Sequence, residues 1–275
     1  MVRKRISKGI LELMCFQLSE GDEEVIRVAT NTGNRKNNRA DKAQVVVRFE
    51  TDIVTPVTLR SLLNTTWLND EVMHAFYRVL SYMDGRMCEE DSSRKRSHFF
   101  KSLFLEKLTM EYDTKGECDE VSKLIDGKDY KYANVKSWYQ KCPGKNIFGL
   151  NKLFCLIMRE RMHWSTIVIM FDERLIVYLD SLRLPDDGYL QACFVFLQDE
   201  HRARFKKELP KKDDWDLIDG CDWVPRQPNT YDCGVYALVF AYFILLDLPL
   251  PEMNNEQLPT IRKFICLTLL VEGNT

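Results

Sequence analysis

The chain has little that would place it in a membrane, on a nucleic acid or in an oxidising compartment. Its longest uninterrupted apolar run, Val235 to Leu246, is too short to span a bilayer and reads as a buried core helix. The opening Met1-Val2-Arg3-Lys4-Arg5 is not followed by the apolar core and small-residue cleavage site of a secretory signal. Net charge is −2 over 275 residues, with the two signs interspersed. The basic excess of a nucleic-acid binder is therefore missing. Nine cysteines are present, an odd number, and no two have the C-x-x-C spacing. That argues against a disulfide framework or a four-ligand zinc site and suggests a reducing compartment, the nucleus and/or cytoplasm; no metal or cofactor is expected. Arg3-Lys4-Arg5 and Arg94-Lys95-Arg96 resemble nuclear-localisation fragments, although runs that short are more often solvated surface.

What is present suits one large domain, or one domain with an appendage. Residues 1–50 form an N-terminal extension with three strand-like stretches, 9–18, 24–29 and 44–49, and a polar loop over 31–38. They fit either extra β-strands or a partly disordered leader. Asn69 caps a helix whose first turn is acidic and whose Val72, Phe76, Val79, Leu80 and Met83 recur at helical spacing, with Gly85 ending it. A second helix is expected from Ser97, carrying Phe100, Leu103, Phe104 and Leu108 on one face. Residues 111–128 read as a charged surface excursion, and 133–141 as a short helix stopped by Pro143-Gly144. Strands follow at 153–158, 163–171 and 175–179. A helix is expected over 188–207, with Leu190, Phe194, Leu197 and Phe205 inward and His201 at the surface. A strand at 215–224 and a closing helix at 258–271 complete the chain.

The chemistry gathers around Cys233. It ends the polar turn Gln227-Pro228-Asn229-Thr230-Tyr231-Asp232 and opens the apolar run. Free backbone N–H groups and the positive end of a helix dipole favour a thiolate there, and the thiolate is the nucleophile of cysteine chemistry. Taken alone, such a cysteine is more often a small buried hydrophobe. A nucleophile also needs a base, an orienting acid and an oxyanion donor. If strands 163–171 and 175–179 form a hairpin about Asp172, position 163 falls near 181, so His163 lies beside Asp180. The carboxylate then holds the second ring nitrogen and stabilises the imidazolium. His74, His98 and His201 have no such partner and read as structural. Gln227, six residues before Cys233, offers an amide to a developing oxyanion.

These four residues, with Trp67-Leu68-Asn69-Asp70, His163-Trp164, Leu179-Asp180-Ser181 and the segment from Gln227 to Gly234, resemble the ubiquitin-like-protein-specific cysteine proteases, the sentrin/SUMO protease family. The likeness runs from Val57 to the end, within a catalytic domain placed at 51–275. It implies an α+β, papain-like fold with the nucleophile helix against a central antiparallel sheet. It implies His163, Asp180 and Cys233 as the catalytic triad and Gln227 as oxyanion donor. Trp67, Asp70 and Trp164 would bind substrate, the two tryptophans walling a tunnel for a C-terminal Gly-Gly. The implied partner is a SUMO-like modifier and its protein conjugates, met by a monomer. One departure is local: the segment 157–162 before His163 lacks the proline that the resemblance leads one to expect. Other readings compatible with the residues are a same-fold protease for different small-residue sites, an acyltransferase using the same thioester, and a non-catalytic modifier-binding module.

Overall fold

The computed structural model describes residues 18–30, 45–49, 52–109, 123–125 and 128–273. Its first helix, α1 (Glu20–Thr30), lies where the β-branched Val25, Ile26 and Val28 suggested a strand. Two local features decide for helix. Ser19 and Asp22 cap the first turn reciprocally, Ser19 N–H to Asp22 Oδ2 at 2.9 Å and Asp22 N–H to Ser19 Oγ at 3.2 Å. The inward positions are Ile26 and Thr30, four apart, while Val25 and Val28 stay exposed. Strands β1 (Val47–Phe49) and β2 (Asp52–Val54) form a hairpin across residues 50 and 51. The expected strand at 44–49 is thus shortened to its last three residues, and the stretches 9–17 and 31–38 lie outside the described residues.

Helix α2 (Pro56–Leu63), which the sequence reading did not anticipate, is capped by Thr55, whose hydroxyl accepts from Thr58 N–H, with proline at the first turn. Helix α3 (Asp70–Glu90) begins on its Asn69 cap as expected but runs through Gly85 to Asp91. A Cβ at Gly85 would make ordinary contact with the Arg96 guanidinium, which reaches across to the fully buried Asp84 at 2.8 Å. The helix expected from Ser97 is instead strand β3 (His98–Phe100) followed by the short α4 (Leu103–Leu108). Pairing with a neighbour outweighs local periodicity here, since Phe99 stacks on Phe154 with ring centroids 4.6 Å apart. Strands β4 (Lys123–Ile125) and β5 (Lys128–Tyr130) pair antiparallel within the stretch read as a surface excursion. The helix expected at 133–141 is broken into 3₁₀ turns at Tyr132–Asn134 and Trp138–Lys141, and a further turn follows in which Gly144 takes φ 63°.

Strands β6 (Lys152–Arg159), β7 (His163–Met170) and β8 (Leu175–Leu179) form the antiparallel centre of the sheet. Helix α5 (Tyr189–Phe205) then crosses one face, and β9 (Asp216–Asp219) joins the edge. The order is β3-β6-β7-β8-β9, with β3 and β9 parallel to their neighbours, so the sheet is mixed and only its central three strands are antiparallel. The strand expected at 215–224 stops at Asp219, because Gly220 bonds Tyr178 O and the chain turns through Trp223. On α5 two expectations are corrected. His201 is buried, its ring edge-on to Phe148 and its Nδ1 2.9 Å from Lys207 O, whereas Phe205 is half exposed.

Helix α6 (Cys233–Leu245) packs on the opposite face with α3 and the last helix, α7 (Leu258–Glu272). Twelve of the thirteen α6 residues are buried, which an all-round apolar helix requires. Alternate side chains divide the strands between the two faces: Trp164, Val168, Val177 and Leu179 pack toward α6, and Ile167, Ile169 and Ile176 toward α5. Among the described residues no helix is long and apolar enough to cross a membrane. The run Arg94-Lys95-Arg96 ties the fold together: Arg94 donates to Leu245 O at 2.6 Å, Lys95 pairs with Asp172, and Arg96 with Asp84.

Candidate active site

His163 opens β7 and Asp180 follows the end of β8. The register pairs Thr166 with Leu179 and Met170 with Leu175. Continued to the strand ends it sets 163 opposite 182, one residue from the position expected. His163 Nε2 lies 2.7 Å from Asp180 Oδ2. Asp180 is fully buried, and its remaining acceptor capacity is used: Tyr178 Oη donates to Oδ2 at 2.9 Å and Leu182 N–H to Oδ1 at 2.8 Å. The connection before His163 explains the missing proline. Arg159 pairs with His163 across a tight turn in which Glu160 and Arg161 have φ of 51° and 59°. A pyrrolidine ring fixes φ near −65° and is excluded at both positions.

Cys233 is the first residue of α6 and is 2% exposed. Its thiol is close enough to the His163 imidazole to affect the ring's protonation. Burial alone would lower the histidine's pKa, but the bond to Asp180, the neighbouring Cys233 thiol, and the charges of both, raise it to about 9. The arrangement favours the protonated imidazole at His163 near neutral pH. The residue before the nucleophile, Asp232, caps no backbone N–H of α6. Its carboxylate is taken by Arg262 Nε at 2.6 Å and Asn229 Nδ2 at 2.6 Å.

Gln227 is buried in the loop entering α6, and both ends of its amide are held. Ser181 Oγ donates to Oε1 at 2.6 Å, while Nε2 donates to Asn229 O at 2.6 Å. Its backbone N–H bonds Ser181 O at 2.9 Å, tying this loop to the residue after Asp180. A primary amide nitrogen carries two hydrogens, so one remains beyond the Asn229 bond.

The two tryptophans meet on one segment. Trp67 is half exposed and donates Nε1–H to Thr230 O at 2.9 Å; Trp164 is buried and donates Nε1–H to Leu68 O at 2.9 Å. Leu68 in turn lies on the start of α6, where a Cβ on Gly234 would come within 3.0 Å of Leu68 Cβ. Asp70 is exposed in the first turn of α3, just beyond this segment. The sequence reading assigned no role to Tyr178, Ser181, Asn229, Asp232 or Arg262. Four of these stand in or beside motifs already singled out. Arg262, a cation at helical spacing among Leu258, Ile261, Ile265 and Leu269, is the signal that could have been followed. Among the described residues no group of three or more His, Cys, Asp and Glu could hold a metal ion.

A mixed sheet with a buried helix that opens on a cysteine, opposite a His–Asp pair, defines the papain-like α+β class of cysteine peptidases. Within that class the chain belongs to the Ulp1 protease family: the model of its C-terminal catalytic domain matches residues 66–268. The chain is 27% identical over 210 residues to ubiquitin-like-specific protease ESD4 of Arabidopsis thaliana, covering 76% of this chain and 38% of that protein. It is 29% identical over 248 residues to the putative ubiquitin-like-specific protease 1B of the same plant, covering 88% and 64%. The chain therefore spans under two thirds of the length of each. Among solved structures, the C-terminal Ulp1 protease domain in complex with Smt3, the yeast ortholog of SUMO, shares the fold at a TM-score of 0.67 and 22% identity, over 94% of this chain and 98% of that one. The Ulp1-like SUMO protease catalytic domain of Chaetomium thermophilum does so at a TM-score of 0.69 and 20% identity, over 94% and 92%.

Proposed function

We propose that the protein is a thiol peptidase and isopeptidase that cuts after the C-terminal Gly-Gly of a SUMO-like modifier, maturing its precursor or releasing it from conjugated proteins. The observation that carries this is the His163–Asp180 pair at 2.7 Å, with Cys233 opening the buried helix that packs on the strand of His163. The Cys233 thiolate attacks the glycyl carbonyl. The oxyanion is met by the Cys233 N–H and the unspent N–H of Gln227 Nε2. His163 gives its proton to the leaving amine, which departs as the acyl-thioester forms. His163, now neutral, takes a proton from water as the oxygen attacks the thioester. The products are the modifier's carboxylic acid, which gives up its proton to solvent, and the regenerated thiolate–imidazolium pair. Asp180, fixed by Tyr178 and Leu182, keeps the ring oriented throughout. Every step is carried by groups of this chain.

Substrate choice follows from the Trp67-Leu68 segment. With Trp67 held on Thr230 O and Leu68 on Trp164, the proposed approach to Cys233 is a slot for a backbone without side chains, which glycine alone supplies. The relatives named as ubiquitin-like-specific proteases, and the Ulp1 domain solved with Smt3, support a modifier of that class as the partner. The test is reaction with a panel of ubiquitin-like proteins bearing C-terminal electrophiles, each made with Gly-Gly and with Val-Gly ends. A SUMO-like Gly-Gly probe should label Cys233 and its Val-Gly form should be almost inert. Equal labelling by both forms removes the slot and favours a broader protease. Product release only in the presence of an added amine favours acyl transfer.

A further inference from the structure

Arg262 lies on α7 and is 4% exposed. Its guanidinium donates to four groups from three separate segments: Asp232 Oδ1 at 2.6 Å, Ser61 O at 2.9 Å, Thr66 O at 2.8 Å and Tyr231 O at 3.3 Å. Ser61 belongs to the end of α2, Thr66 immediately precedes Trp67, and Tyr231 and Asp232 immediately precede Cys233. Asp232 is equally buried, its second oxygen accepting from Asn229. Asn229 Oδ1 accepts from the N–H groups of Tyr231 and Asp232, and Asn229 O accepts from Gln227 Nε2. One guanidinium thus joins the segment that presents Trp67 to the loop that presents both Gln227 and Cys233.

A buried ion pair is a poor source of net stability, because desolvation offsets much of its Coulomb energy. What it supplies is geometry and charge balance. We infer that Arg262 is a positioning residue with two separable effects. It neutralises Asp232, so that no bare carboxylate stands next to the Cys233 thiolate. It also fixes the distance between the Trp67 wall and the nucleophile, through the backbone carbonyls on either side. The planar fork is needed for the second effect, because an ammonium cannot reach carbonyls in three directions and the carboxylate together. This inference rests on Cys233 being the nucleophile.

The experiment compares the full chain with Arg262→Lys, Arg262→Gln and Arg262→Gln/Asp232→Asn, following Cys233 alkylation by iodoacetamide at neutral pH, cleavage kinetics on Gly-Gly and Val-Gly modifiers, and thermal unfolding. Arg262→Gln should slow alkylation about tenfold, since an unpaired neighbouring carboxylate opposes the thiolate. It should lower kcat about 100-fold, the scale of a small misplacement of reacting groups, with KM within about twofold. Adding Asp232→Asn should restore alkylation but not the kinetics. Arg262→Lys keeps the charge, so alkylation stays near wild type while the preference for Gly-Gly over Val-Gly falls by about tenfold or more. Should Arg262→Gln fail to fold, the double variant, which buries no lone charge, and Arg262→Lys still decide. Wild-type selectivity and kcat in Arg262→Lys, or a double variant whose alkylation matches that of a folded Arg262→Gln, overturns the inference. Labelling of another cysteine first in the wild type overturns the nucleophile assignment and this inference with it.

Discussion

His163 and Asp180 reach each other by strand pairing, whereas Gln227 and Cys233 are placed by a loop. In the first pair, each residue sits at the end of a strand, and the backbone ladder between β7 and β8 fixes their separation with no help from distant side chains. In the second, the six-residue loop from Gln227 to Asp232 has no ladder. Its shape comes from Ser181 on the Gln227 amide, Asn229 on two backbone N–H groups, and Arg262 on Asp232. The His163–Asp180 half is therefore robust to side-chain loss around it, while the Gln227–Cys233 half depends on a web of individual bonds. Substitutions that strike the reacting groups test the roles; those that strike the supports test the contrast.

The largest effect belongs to Cys233→Ala, which should abolish cleavage and leave modifier binding intact. In the unmodified protein Cys233 should alkylate first near neutral pH. Burial raises Cys142 and Cys266 to about 12, and burial together with nearby carboxylates raises Cys88 and Cys221. Peptide mapping that finds one of these labelled ahead of Cys233 would sink the assignment. Next comes Asp180→Asn, which keeps the size of the side chain but loses the charge that stabilises the imidazolium. By analogy with a serine triad, kcat should fall on the order of 10³–10⁴.

Gln227→Ala removes an oxyanion donor and should lower kcat on the order of 10²–10³ with KM nearly unchanged. Its support provides the sharper comparison. Ser181→Ala releases Oε1, so the amide can turn over, and kcat should fall about tenfold, a fraction of what the donor itself is worth. On the strand side the matching loss, Tyr178→Phe, removes one of the bonds to Asp180 but leaves the ladder, and should cost less than Ser181→Ala. Steady-state kinetics on one Gly-Gly substrate rank them. Tyr178→Phe proving the more damaging would show that the carboxylate, too, depends on side-chain support.

The same contrast explains what could be read from the sequence. Strands β6 to β8 and the His163–Asp180 contact were legible because hairpin register follows from a turn and two β-branched runs. Helix α6 was legible because nothing interrupts its apolar run. The helix at 103–108 was expected, but its start at 97–100 was misread because Phe99 and Phe100 face opposite cores across an edge strand, and that pairing lies some fifty residues away in sequence. Glu24–Ala29 was misread as a strand because three β-branched residues outweighed a cap that begins one turn earlier. Trp164, named as a tunnel wall, is almost wholly buried and donates its indole N–H to Leu68 O. Arg262 escaped notice because its partners come from three distant segments, and no local pattern records such a convergence.

The smallest effect is on stability, and it separates the two halves thermodynamically. The pKa of His163 is raised from 6.5 to about 9, so the folded state binds its proton more tightly than the unfolded chain does. The stabilisation is fully present below the unfolded value of 6.5 and is lost as the pH rises through about 9. A rise of that size corresponds to roughly 3 kcal/mol, an upper figure because Cys233 and Asp180 share in it. Urea unfolding of the wild type between these limits should show stability falling with pH, and His163→Gln should flatten that slope. Cys233→Ser takes away the thiolate but leaves Asp180, so the fall should begin at a lower pH and be shallower. If the serine variant keeps the wild-type slope, Asp180 alone holds the proton. The link from His163 to the nucleophile loop would then contribute nothing to the folded state, and the ladder would account for all of the stabilisation.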